Sequence, residues 1–281
     1  MTNETEAING VGDTALWTAA SRARESRRPD RLFSDPLAGV LAGPKGVELL
    51  KHFHTSRASD EGNPFLPIRT RWFDDYLETW VGEGHQVVGL AAGLDTRAFR
   101  LEWPDGVTLY EVDQKAVLAY KESTLAAAGA KRGVDTRTVP VDLGDDWPAA
   151  LRAAGFDPAK PTVWFAEGLL FYLPEALAHR VVRDAAALSA PGSVLAADLI
   201  GTGIFRFPYT REFLRRLEAA DSPWVFGTDD PARFLTDCGW DPIDVTEPGK
   251  ANANYGRWPE AASPANLPDL PRSHLVAGRL A

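Results

Sequence analysis

Cysteine is almost absent from this chain, and the shortage excludes two kinds of covalent or metal support at once. Cys238 is the single cysteine among 281 residues, so neither an intramolecular disulfide nor a cysteine-based zinc cluster can form. Cys238 itself reads as a small apolar residue at a helix end. Long hydrophobic runs are missing as well. A bilayer span needs about 20 apolar residues, and the best stretch, Thr162 to Leu173, is interrupted by Glu167. Met1 to Thr14 is polar and acidic, without the basic segment and apolar stretch of a secretory leader. The expected location is cytoplasmic, with no membrane partner. Positive charge is also short: 30 Lys and Arg against 39 Asp and Glu leave −9 at neutral pH. That balance works against the broad basic face nucleic-acid partners demand.

What is present is the composition of a packed globular chain, 44% hydrophobic and 25% charged, so folding needs no special device. Periodicity and Gly/Pro punctuation divide residues 1–281 into four regions of one domain. Region 14–82 reads as helical. Asp13 or Thr14 is placed to cap a helix through Leu16, Ala19, Ala20 and Ala23, and Asp35-Pro36 reads as a cap followed by proline at the first helical position. Ile68, Trp72, Tyr76 and Trp80 form one aromatic stripe, expected to face the core.

Region 83–202 alternates strands with helices. The expected strands are Gln86–Leu90, Thr108–Val112, Arg137–Val141, Thr162–Ala166 and Val194–Ile200. Helices are expected at Asp95–Phe99, Gln114–Ala128, Trp147–Ala154 and Pro174–Leu188. This alternation implies a parallel α/β sheet with right-handed crossovers. Region 203–228 breaks the pattern with Phe205, Phe207, Tyr209, Phe213, Trp224 and Phe226 among arginines, and reads as an inserted, mobile lid over the acceptor. In region 229–281, a helix ending at Gly239 precedes Asp241–Val245 and His274–Leu280, expected as an antiparallel edge pair.

In such a sheet, ligands bind beyond the carboxyl ends of the strands. After the first strand, Gly93 allows a ligand close to the backbone. The dinucleotide fingerprint G-x-G-x-x-G is absent, since Gly89 and Gly93 stand alone. Asp113 ends the second strand at the spacing of an acid that accepts from ribose hydroxyls, although it could equally cap the next helix. Asp142, after the third, could accept from an adenine amino group or simply begin the turn Gly144-Asp145-Asp146. Glu167, after the fourth, stands among apolar residues and must meet a ligand or an arginine, because an unpaired buried carboxylate is too costly. A glycine loop and three acids without a phosphate cradle suit a nucleoside cofactor lacking pyrophosphate, and S-adenosylmethionine meets that description.

The runs Ser21–Ser26, Leu32–Ala38 and Arg69–Asp74, with Ala92–Arg97, Glu111–Asp113, Val141–Leu143 and Ala166–Leu169, together resemble the leucine carboxyl methyltransferase-like family, closest to its bacterial branch of S-adenosylmethionine-dependent and polyketide O-methyltransferases. The resemblance runs from about Ala15 to Leu173 in unbroken order and more loosely beyond. It implies a Rossmann-like class I methyltransferase fold with a seven-stranded, mostly parallel sheet, an antiparallel C-terminal edge and a helical N-terminal cap. It also implies roles: Gly93 beneath the methionyl and ribose portion of the cofactor, Asp113 on the ribose, Asp142 and the Leu143 backbone on adenine. Glu167 would sit near the cofactor's amino group, and Arg22 and Arg69 would hold its carboxylate. Ala91 departs from the family, which often has glycine there, and 203–228 suggests no particular acceptor.

Methyl transfer from a sulfonium needs no metal. A carboxylate acceptor is already ionised at neutral pH, whereas a phenol with a pKa of about 10 wants a general base. His52, His54, His85, His179 and His274 all lie outside the strand-end motifs. The expectation is therefore O-methylation of a small molecule or peptide, at a carboxylate in preference to a hydroxyl. Arg71, Arg97 and Arg206 are candidates to orient the acid, and no catalytic residue is singled out. Two alternatives remain: a nicotinamide-dependent oxidoreductase, disfavoured by the missing glycines, and a cofactor-binding module without catalysis.

Overall fold

Strands and helices alternate through the middle of the chain to build one seven-stranded sheet in the computed structural model, which describes residues 11–53, 64–258 and 270–281. The strands are β1 Gln86–Leu90, β2 Thr108–Asp113, β3 Asp135–Pro140, β4 Thr162–Ala166, β5 Val194–Ile200, β6 Asp241–Thr246 and β7 Ser273–Arg279. Their order is β3-β2-β1-β4-β5-β7-β6. Pairs among β1 to β5 are parallel, and β7 runs antiparallel to both β5 and β6. The order reverses at β1, between β2 on one side and β4 on the other, so a crevice opens at the carboxyl ends of β1 and β4.

The helices are α1 Val11–Ser26, α2 Ala38–Phe53, α3 Phe65–Trp80, α4 Arg97–Arg100, α5 Lys115–Ala127, α6 Trp147–Ala153, α7 Glu175–Ala187, α8 Gly203–Arg206, α9 Arg211–Ala219 and α10 Pro231–Asp237. Alternating side chains on each strand serve two opposite faces. Val88, Leu90, Trp164 and Ala166 join Trp147, Val181 and Phe234 on one face. Val87, Val163 and Phe165 meet the stripe Ile68, Trp72 and Tyr76 of α3 on the other, with Trp80 packed at its margin. Gly89 is required by that second face, where a Cβ would stand 2.6 Å from the Phe165 ring. A third cluster ties α1, α2 and α9 through Leu16, Leu41 and Leu217. Cys238 follows α10 and is buried. No helix among the described residues is long and apolar enough to cross a membrane.

Several expectations shift. Asp13 and Thr14 lie inside α1, where Asp13 pairs with Lys45 instead of capping. Asp35 does cap, accepting from the Ala38 N–H at 3.0 Å, but α2 begins after Pro36 and kinks at Gly43, whose φ is 54°. Helix α4 starts at Arg97, not Asp95, because the Asp95 carboxylate accepts from the Arg97 N–H and holds the residues before it in a turn. The third strand runs two residues earlier than Arg137, since Asp135 already pairs with Thr108; it is an edge strand with mostly exposed side chains, so hydrophobicity marks its ends poorly. The segment Met1–Gly10 and His54 lie outside the described residues.

Below the glycine loop, Lys121 of α5 and Glu111 of β2 form an ion pair at 2.8 Å with both side chains almost wholly enclosed. Burial pushes the Glu111 carboxyl above its usual range against the pull of Lys121. Removing one member strands the other charge, which costs about 3–5 kcal/mol, whereas an apolar pair of similar volume is often tolerated. Lys121→Met should therefore lose about that much in urea unfolding, and adding Glu111→Leu should recover at least half. A double variant no more stable than Lys121→Met would contradict this.

Candidate active site

A cavity of about 790 Å³ occupies the crevice predicted by the strand order. Its walls include Gly93, Asp113, Asp142, Leu143 and Glu167 from the strand ends, and Arg22 and Arg69 from the N-terminal helices. All seven sequence-derived candidates thus meet around one space. Its volume lies within the range of about 300–1,000 Å³ usual for small-molecule sites.

The loop after β1 is shaped for close approach. Gly93 takes φ 52°, and its N–H donates to Asp113 Oδ2 at 2.6 Å. The other oxygen, Oδ1, accepts from the Gln114 N–H at 2.6 Å. Asp113 is therefore pinned across two strand ends by main-chain donors while remaining in the cavity wall. Burial raises its carboxyl to about 6, with the two N–H groups opposing the rise. Ala91, also in the wall, takes φ 51°. This is the left-handed region that costs a residue with a Cβ about 1–2 kcal/mol, a cost glycine would not bear.

Asp142 fulfils its turn reading: Oδ1 accepts from the Gly144 N–H at 2.7 Å, and Oδ2 from Gln114 Nε2 at 3.1 Å. Arg180 of α7 donates to the Leu143 and Gly144 carbonyls at 3.0 and 2.7 Å, clamping this loop to that helix. Glu167 meets two arginines, as its apolar setting required. Arg69 Nε lies 3.1 Å from Oε1, and Arg97 Nη2 lies 2.8 Å from Oε2. Burial pushes the Glu167 carboxyl up, but Arg97 and Arg69 together outweigh burial and hold it below its ordinary range. Arg69 also reaches Asp198 of β5 at 3.0 Å. Arg22 pairs with Asp35 at 2.8 Å and donates to the Leu94 carbonyl.

Of the three candidates for orienting an acceptor acid, Arg97 lies in the cavity wall but is already paired, and the other two lie outside it. Arg97 is 2% exposed and spans Asp74, Asp95 and Glu167, which makes it a pillar between α3, the glycine loop and β4. Arg71 pairs with Asp75 and donates to the Leu32 carbonyl, outside the described cavity wall. Arg206 is exposed on α8, outside that wall, with its charge acting on Asp229. The described histidines are placed elsewhere: His85 accepts from the Gly82 N–H, His179 packs on Phe234, His52 on Phe53, and His274 is buried in β7.

Sequence reading missed Asp198 and Asp74, and gave Asp35 a capping role without its pairing to Arg22. Asp198 is fully buried, accepts from the Gly168 N–H at 2.6 Å and balances Arg69. Its signal was available: a charge inside the apolar run Val194–Ile200, the argument already applied to Glu167. Region 203–228 supplies Ile204, Phe207, Tyr209, Thr210, Phe213 and Trp224 to the wall.

Comparison with known proteins accords with this geometry. The sequence model of the leucine carboxyl methyltransferase family matches residues 15–186. A protein of Mycolicibacterium smegmatis named as an S-adenosyl-L-methionine-dependent methyltransferase is 41% identical over 263 residues, covering 88% of each chain. A protein of Rhodococcus jostii with the same description is 42% identical, covering 94% of this chain and 93% of its own. Among solved structures, a DUF574 family protein from Streptomyces avermitilis superposes with a TM-score of 0.61 at 16% identity, covering 95% of this chain and 97% of that one. A Thermobifida fusca structure described as a methyltransferase gives 0.59 at 17%, covering 99% and 96%. These two likenesses concern the fold.

The strain at Ala91 yields a direct expectation. Ala91→Gly should relieve the left-handed penalty, less the extra entropy glycine loses on folding, for a net gain of about 0.5–1 kcal/mol. A thermal melt should rise by about 2 °C; an unchanged or lower midpoint would show that the residue is not strained there.

Proposed function

We propose that this chain, which belongs to the leucine carboxyl methyltransferase family and is an S-adenosylmethionine-dependent methyltransferase, transfers the methyl group to a carboxylate oxygen of a small-molecule acceptor. The observation that carries the proposal is the division of the cavity. Its charged part combines Asp95, Asp113, Asp142 and Glu167 with Arg22, Arg69, Arg97 and Arg100, and its apolar part presents aromatic rings and hydroxyls such as Trp17, Phe213, Trp224 and Thr210. The charged part suits a nucleoside that carries both an amino acid group and a cationic sulfonium; the apolar part suits the uncharged body of an acceptor.

That the seven residues line one cavity supports the cofactor roles implied by the family resemblance. The Gly93 backbone, open toward the cavity, would lie beneath the methionyl and ribose portion. Asp113 would take the ribose hydroxyls on its oxygens, and Asp142 with the Leu143 backbone would take the adenine edge. Glu167, kept ionised by its arginines, would accept from the amino group. Arg22 and Arg69 would face the carboxylate. Bound S-adenosylmethionine supplies an electrophilic methyl group on a sulfonium. The protein's remaining task is to align the acceptor oxygen in line with that methyl and to exclude water. A carboxylate needs no proton removed, consistent with the placement of the described histidines in packing and turn roles. The acceptor proton therefore never enters the chemistry, and the sulfonium charge is discharged by the transfer itself. Incubation with cofactor and matched pairs of aromatic acids and phenols tests this, by mass detection of methyl ester against methyl ether. Ether formation without ester would overturn it.

Asp113 sets the pH dependence of cofactor binding. Hydroxyl donors favour the ionised carboxylate, and its carboxyl is raised to about 6 in the folded protein. Affinity for S-adenosylhomocysteine should be flat above about pH 7 and fall as the pH drops through 6, by up to about tenfold per unit. The same shift acts oppositely on stability. The folded state keeps this proton where the unfolded chain has lost it, so the contribution of Asp113 to stability declines as pH rises from about 4 to 6. Asp113→Asn should bind about 10–100-fold more weakly at neutral pH and lose the acid-side slope. Calorimetry showing the same slope in the variant would place the titrating group elsewhere.

A further inference from the structure

The aromatic side of the cavity is a built enclosure, and it narrows the acceptor. This inference rests on the methyltransfer reading above. Trp224, in the chain after α9, is its centre: its ring lies 4.5 Å from Phe171, 5.1 Å from Phe213 and 6.2 Å from Tyr172. Trp17 of α1 continues the wall, 6.2 Å from Phe213 and 5.0 Å from Phe53. Each of these six residues lines the cavity. The rings come from four separate parts of the chain: α1, the end of α2, the turn after β4, and region 203–228. The backbone N–H of Val225 donates to the Phe171 carbonyl at 2.7 Å, so Trp224 is fixed against that turn by main chain as well as by stacking.

Ring orientation matters as much as ring number. Trp224 stands at 80° to Phe213 and 88° to Tyr172, and at 53° to Phe171. Trp17, Phe53 and Phe171 are nearly buried, so the surface open to a ligand comes mainly from Trp224 and Phe213, which stand near a right angle to each other. A flat ring can meet both favourably, since aromatic pairs prefer offset-face or edge-to-face contact. A flexible chain filling the same space gains comparable apolar burial but loses rotamer freedom at each bond. A peptide brings main-chain donors and acceptors that need partners when buried. The described polar side chains near these rings include Thr14, Thr18, Tyr172, Tyr209 and Thr210, all neutral hydroxyls, of which Thr18 and Thr210 already donate to main-chain carbonyls.

We infer that the acceptor is a flat aromatic monocarboxylic acid, held by its ring system in the Trp17–Phe213–Trp224 enclosure with the carboxylate directed to the strand ends. Trp224 is then the specificity-determining residue. The ring body, more than the carboxylate, supplies affinity, and the fixed walls set which oxygen faces the methyl group.

The test uses the full chain saturated with S-adenosylhomocysteine and titrated calorimetrically with 2-naphthoate, 2-naphthamide, decanoate and a tripeptide ending in leucine. The expected result is 2-naphthoate tighter than decanoate and the tripeptide by about tenfold or more, with 2-naphthamide retaining most of that advantage. Trp224→Leu, which keeps apolar bulk and removes the flat ring, should erase the preference for naphthoate while leaving S-adenosylhomocysteine affinity unchanged. If that variant fails to bind S-adenosylhomocysteine, Phe213→Leu carries the same comparison. Decanoate or the tripeptide binding as tightly as naphthoate, or a preference untouched in the variants, would overturn the inference. Turnover separates the two readings. Tight naphthoate binding without ester on any acid would keep the enclosure and remove the carboxylate assignment. Ester formed preferentially on decanoate or the peptide would keep the assignment and remove the enclosure's role.

Discussion

Arg97 is the constraint on which the rest of the site depends. A guanidinium that is 2% exposed cannot remain in the protein without opposite charge around it. Its partners come from three different places: Asp74 on α3, Asp95 in the loop after β1, and Glu167 at the end of β4. None of these elements can shift alone without uncovering charge. The helical cap, the glycine loop and the central strand are thereby fixed relative to one another by electrostatics as well as packing. Asp74 extends the network to Arg100, and Glu167 extends it through Arg69 to Asp198 on β5.

That network also divides the titration behaviour of the site. Two carboxylates face one cavity in opposite electrostatic settings. Glu167 is buried, yet two arginines override burial and keep it ionised. Asp113 has only main-chain N–H groups directly bonded to its oxygens, and burial prevails. Sensitivity to mild acid is thus placed at the proposed ribose contact and kept away from the proposed amino-group contact. The Gly93 N–H ties this further to the loop, because the oxygen it reaches belongs to the carboxylate that titrates.

The sheet and the strand-end acids were legible in the sequence for a common reason. Buried parallel strands read as short apolar runs, and a charge at the end of such a run has few places to go other than a ligand or a partner. Edge strand β3 lacked that contrast, and its boundaries slipped. The arginines misled for the converse reason. A motif shows that Arg97 is near the site, but not that Asp74, 23 residues away, and Glu167 already claim it. Arg69 meets Asp198 across a separation of 129 residues, a pairing no local pattern encodes. Arg206 was expected near the acceptor because its neighbours are aromatic; Ile204 and Phe207 reach the cavity wall, whereas Phe205 and Arg206 are exposed outside it.

The two sides of the cavity are held by different forces, and this bears on how acceptor preference can vary within one fold. The strand-end side depends on ion pairs that cross four elements, so a single substitution there disturbs several partners at once. The aromatic side depends on stacking among residues from α1, α2, the turn at Leu170–Tyr172 and region 203–228. Such contacts change in smaller steps, about 0.5–1.5 kcal/mol per aromatic pair, and leave no stranded charge behind. Tyr172 touches both systems, meeting Trp224 edge-on while lying in the field of Arg69. Substitutions in 203–228 can therefore reshape the proposed acceptor wall without reaching the arginine network, provided Tyr172 keeps its place between them.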